Sequence, residues 1–109
     1  MSIDGARYAG LDQRASPRTD VYARLPLVLA DNRTATATAV NISADGLLIR
    51  FEQPMVAGHI ITLSLPIIGR VKAMVVWSIG GMSGLQFCAA IEPRDYTALL
   101  RGLGAKIEN

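Results

Sequence analysis

The chain has 109 residues, half of them hydrophobic, with 11 Lys and Arg against 9 Asp and Glu for a net charge of +2. That length holds one domain with a single core, and no uninterrupted apolar run reaches the ~18 residues that crossing a bilayer takes. The basic residues are scattered instead of forming a concentrated face, which argues against nucleic acid as the partner.

Residues 1–20 read as a flexible arm. Asp4, Arg7, Asp12 and Arg14 leave no room for the apolar segment of a signal peptide. The single cysteine, Cys88, has no partner for an internal disulfide, so a reducing, cytoplasmic setting is expected. Within the arm, Arg14 and Arg18 would share a face of a helix, but Pro17 biases Ser16 toward extended geometry. Two guanidinium forks on an irregular arm approach one ligand from different directions, and each fits phosphate oxygens or the O6/N7 edge of guanine.

Residues 21–92 carry period-two alternation broken by turn residues. The first strand runs from about Tyr22 to Ala30, with Leu25, Leu27 and Leu29 on one face and Pro26 marking an edge or a strand start. Asp31-Asn32 is a turn. Threonines and alanines alternate from Thr34 to Ile42, giving a strand with one small-residue face. Leu47, Ile49 and Phe51 carry the third strand and Ile61, Leu63 and Leu65 the fourth, which Pro66 ends. A fifth covers Val71 to Ser78. Gly80 to Gly84 connects it to a final strand on which Leu85, Phe87, Ala89 and Ile91 face inward and in which Cys88 is structural. Six short strands joined by turns favour closure into a small barrel, since closure removes exposed edges. Residues 93–104 follow as a helix: Pro93 suits its first turn, Tyr96, Leu99, Leu100 and Leu103 recur at helical spacing, and Gly104 stops it. Its apolar face is expected to pack as core against the barrel.

Between the second and third strands lies Asn41-Ile42-Ser43-Ala44-Asp45-Gly46. Asn41 and Ser43 side chains can bond to backbone a residue or two onward to build a turn, and Gly46 permits a positive φ or a close backbone approach. Arg14-Ala15-Ser16-Pro17-Arg18 fits an RxxxR pattern and Asn41 to Gly46 fits [DN]xSxxG. In this order and at this separation they resemble the two signature motifs of the PilZ domain. Val75-Val76-Trp77 followed by Gly84-Leu85-Gln86-Phe87 is similar to the last two strands of that family, so the resemblance runs from about Gln13 to the helix.

That resemblance implies a six-stranded antiparallel β-barrel with one C-terminal α-helix, which binds the bacterial second messenger cyclic di-GMP and passes the signal to a protein partner. Arg14 and Arg18 would contact phosphates and guanine edges, and Asn41, Ser43 and Gly46 would line the barrel half of the site. Gln13 stands where many members carry another arginine, leaving open whether one ligand or a stacked pair is bound. No enzyme is expected: there is no triad, carboxylate pair or phosphate-binding glycine loop before a helix. No cofactor or metal is implied either, because His59, the only histidine, has no ligand cluster beside it. Trp77, at an alternating strand position, reads as core and not as part of the site. The competing reading is a PilZ-like barrel that binds no nucleotide and acts as a protein-interaction module through its helix or an exposed strand.

Overall fold

The computed structural model describes residues 17–105, and Arg14 lies outside them. Six strands, β1 (Thr19–Val28), β2 (Thr34–Ile42), β3 (Gly46–Arg50), β4 (Ile60–Leu65), β5 (Gly69–Ile79) and β6 (Met82–Phe87), precede one helix, α1 (Pro93–Gly102). The strands pair in the order β1-β2-β3-β6-β5-β4 and close into a barrel in which every pairing is antiparallel.

Alternation fills the interior as the sequence implies. Leu25, Leu27, Ala37, Ala39, Ile49, Leu63, Ala73, Val75 and Leu85 are all buried, and the alanines of β2 and β5 leave room for leucines and isoleucines from the other strands. The seam that closes the barrel is short: β1 meets β4 through Leu27–Leu63 and Val28–Thr62. Pro26, next in line, has no N–H to give to a longer ladder.

Turns are set by local chemistry. Asn32, at φ 73°, takes the left-handed position of the β1–β2 turn. Asp31 braces that turn by accepting from the backbone N–H of Arg33 at 3.1 Å and from its Nε at 2.8 Å. These two bonds hold the Asp31 carboxyl below its ordinary pKa. The β5–β6 connection is tighter than the sequence suggests. Gly80 and Gly81 both have positive φ, 58° and 84°, as a two-residue type I′ hairpin requires, so Met82 to Gly84 already belong to β6.

The final strand is also shorter than expected. β6 ends at Phe87, and Cys88 and Ala89 are exposed outside it. Ile91 is buried but lies in the connection to α1, where its N–H donates to Ala44 O at 3.0 Å. The chain leaves the sheet here to carry α1 across the barrel end where β1 begins and β2 stops. Leu99 and Leu103 are fully buried in the common core, and Tyr96 Oη donates to Ile42 O at 3.1 Å. Pro93 at the helix start and Gly104 just past its end, at φ 79°, delimit it. Among the described residues no helix is long and apolar enough to cross a membrane.

Candidate functional site

The β2–β3 connection is fixed from several sides. Ser43 N–H donates to Gly46 O at 2.9 Å, while the amides of Asp45 and Gly46 donate to Ser43 Oγ at 3.1 and 3.2 Å. Ser43 is 3% exposed, so its hydroxyl shapes the turn from within. Beyond the turn, Phe87 N–H donates to Asp45 O at 2.8 Å. Together with the bonds to Ala44 and Ile42 described above, this ties the connection to β6 and α1. Ser43→Ala leaves two amides without their acceptor and is expected to cost ~1–2 kcal/mol, read as a fall in thermal midpoint of roughly 4–8 °C per kcal/mol.

Gly46 opens β3 opposite Gln86. A Cβ there would overlap the carbonyl oxygen of Leu85, so the position requires glycine for the close approach of β3 to β6. Its φ is not in the left-handed region.

Arg18 is exposed just before β1, and its Nη1 donates to Asn41 Oδ1 at 3.0 Å across 23 residues of sequence. The antiparallel register makes this contact, since Thr19 faces Ile42 and Asp20 faces Asn41. The bond occupies an Asn41 acceptor and one guanidinium donor. The other guanidinium donors and the Asn41 amide N–H groups remain on the outer face.

The same register extends the site in a direction the sequence does not announce. Asn41 faces Leu48, Leu48 faces Gly84, and Gly84 faces Trp77, making one outward row across four strands. Trp77 is not core: it is 41% exposed, and its indole lies against Gly84, where a Cβ would overlap the ring. A bulge causes the reversal. The β5–β6 register shifts between Val75 and Trp77, so Val76 and Trp77 are both exposed and the alternation breaks. The usable signal in the sequence is Gly84, because glycine inside a strand marks the close approach of another group. Two strand spacings put the Asn41 and Gly84 backbones about 10 Å apart, a distance on the scale of one nucleotide.

The structure therefore brings Arg18, Asn41, Ser43 and Gly46 to one end of the β1–β2–β3 face and places Trp77 in the outward row of Asn41. His59 is exposed immediately before β4, and among the described residues no group of three or more His, Cys, Asp or Glu is placed to hold a metal ion.

Residues 12–105 match the family model of the PilZ domain. This chain belongs to the PilZ domain family. No curated protein matches its sequence, but solved PilZ domains share its barrel. It is similar to the PilZ domain of CeSA from a cellulose-synthesizing bacterium, with TM-score 0.58 and 12% identity over 79% of this chain and 93% of that one. The PilZ domain of YcgR from Escherichia coli with c-di-GMP gives TM-score 0.58 and 17% identity over 84% and 88% of the two chains. The inhibitor of motility MotI/DgrA from Bacillus subtilis gives TM-score 0.60 and 19% identity, over 79% of this chain and 47% of that longer one. At these identities the likeness shows the barrel fold alone.

Proposed function

We propose that this PilZ domain is a cytoplasmic receptor for cyclic di-GMP. Arg14 and Arg18 hold the nucleotide together with the turn of Asn41, Ser43 and Gly46, and ordering of the N-terminal arm over it relays the signal to a protein partner. The observation that carries this reading is the Arg18–Asn41 hydrogen bond, which joins the two motifs on one outer face. In the reading, the free guanidinium donors take phosphate oxygens or a guanine edge, the Asn41 amide takes a polar edge of the base, and the exposed indole of Trp77 offers a stacking surface. Ser43 and Gly46 act through the backbone, one by shaping the turn and the other by letting the strands close behind it. Ordering the arm costs conformational entropy, which charge-assisted bonds must exceed. The family likeness to YcgR, solved with c-di-GMP, supports the choice of ligand.

Calorimetric titration with cyclic di-GMP, with Arg14→Ala/Arg18→Ala beside the wild type and GTP as competitor, tests the reading. Saturable binding that the double variant loses is expected. A folded wild-type protein that binds by neither calorimetry nor equilibrium dialysis would overturn it.

A second reading, a protein-interaction module without nucleotide, is favoured by one observation: Val76, Trp77 and Ile79 form an exposed apolar stretch of β5, with Ile79 at 74% exposure. Limited proteolysis separates the two, since protection of the first 20 residues on adding nucleotide belongs to the receptor alone.

A further inference from the structure

One outward position along β3 from the row of the proposed site, from Leu48 to Arg50, the same barrel face carries a second group of cations. The register sets Arg24 of β1 opposite Thr38 of β2, and Thr38 opposite Arg50 of β3, so the three form one row. The row points outward: its strand neighbours Leu25, Ala37, Ala39 and Ile49 are buried, whereas Arg24 and Arg50 are exposed and Thr38 is half-buried. Two strand spacings separate the arginine backbones by about 10 Å, a gap that two arginine side chains can close over the hydroxyl between them.

Among the described residues neither arginine has a carboxylate partner; the ion pair there is Arg33 with Asp31. The nearest acids along these strands are Asp20, four residues before Arg24, and Glu52, two after Arg50. Both flank the row instead of entering it. Tyr22, one outward step along β1 from Arg24, is 72% exposed. Two guanidinium forks with no carboxylate partner among the described residues, a hydroxyl and an open aromatic ring together match the chemistry of a phosphate carried on a base.

We propose that Arg24 and Arg50, with the Thr38 hydroxyl between them and the Tyr22 ring beside them, form a second subsite that binds the phosphate of a nucleotide. The subsite does not depend on the receptor reading. Its phosphate could arrive on a nucleotide or as the free ion, so the test compares both.

The ¹⁵N-labelled protein is titrated at constant ionic strength with inorganic phosphate, with GMP and with guanosine, following the amides of Arg24, Thr38 and Arg50 and the arginine Nε–H signals. GMP is expected to saturate these signals at least fivefold more tightly than phosphate. R24Q/R50Q should weaken GMP tenfold or more, and Tyr22→Leu should remove its advantage over phosphate. Arg18→Ala should change none of these values, which separates this subsite from the Arg18–Asn41 site. Absence of saturable shifts at the row, persistence of the GMP-induced shifts at Thr38 and its neighbours in a folded R24Q/R50Q variant, or equal affinity for phosphate and GMP at the row would each overturn the proposal.

Discussion

Gly46→Val should destabilise the domain by about 3 kcal/mol or more, beyond the usual cost of a single overpacked site. In a domain of this size, the thermal midpoint would then fall by roughly 12–24 °C. The reason is what the new side chain meets. The overlap is with the carbonyl oxygen of Leu85, a backbone atom of β6 that cannot yield unless the first rungs between β3 and β6 separate. Those rungs are Gly46–Gln86 and Leu47–Leu85. Opening them also strains the bond from Phe87 N–H to Asp45 O and the Ser43–Gly46 turn. Stability and ligand affinity should therefore fall together. Gly46→Ala places the same Cβ at the same oxygen and should show most of the effect. A Gly46→Val protein melting with the wild type would mean that β3 and β6 are not held at this separation.

Arg18→Ala should do the reverse, leaving the fold alone and weakening cyclic di-GMP binding. Its hydrogen bond to Asn41 is solvent-exposed, and surface substitutions of this kind usually stay within about 0.5 kcal/mol of wild-type stability. A lost charge-assisted bond to the ligand costs ~1.5–3 kcal/mol, roughly 10- to 150-fold in affinity. Asn41→Ala combined with Arg18→Ala completes a double-mutant cycle. Because the two side chains touch, their effects on affinity should be non-additive. The wild-type affinity should also fall with added salt more steeply than that of Arg18→Ala, as an exposed cation on an anionic ligand is screened. Wild-type affinity in Arg18→Ala would refute the receptor reading.

Much of the barrel is legible in the sequence because its determinants are local. Leu25 and Leu27, or Ile61, Leu63 and Leu65, announce a period of two without reference to the rest of the chain. Pro93 and Gly104 mark the helix ends by backbone chemistry alone. What escapes the sequence depends on partners. Trp77 reads as core until the register shift at Val76 turns it outward, and that shift exists only in the pairing with β6. Cys88 and Ala89 continue an alternating pattern past the point where the chain turns away to place α1. The glycine-rich stretch from Gly80 hides which two residues make the turn, because only the backbone dihedrals distinguish them. The motifs follow the same rule. RxxxR and NxSxxG can be seen in one dimension, whereas the Arg18–Asn41 contact follows from the β1–β2 register, and the burial of Ser43 from the bonds its hydroxyl accepts.

The short junction between β1 and β4 gives the molecule a mechanical character. A cylinder fastened along one side by Leu27–Leu63 and Val28–Thr62 is a sheet held shut by a clasp. β1 is a strand of ten residues, about 33 Å long, whose register with β2 shifts between Asp20 and Ala23. Arg18 precedes one end of that strand and the clasp sits at the other. A pull on Arg18 is therefore directed along β1 toward the shortest pairing of the barrel, at the far end of the strand from the Arg18–Asn41 contact.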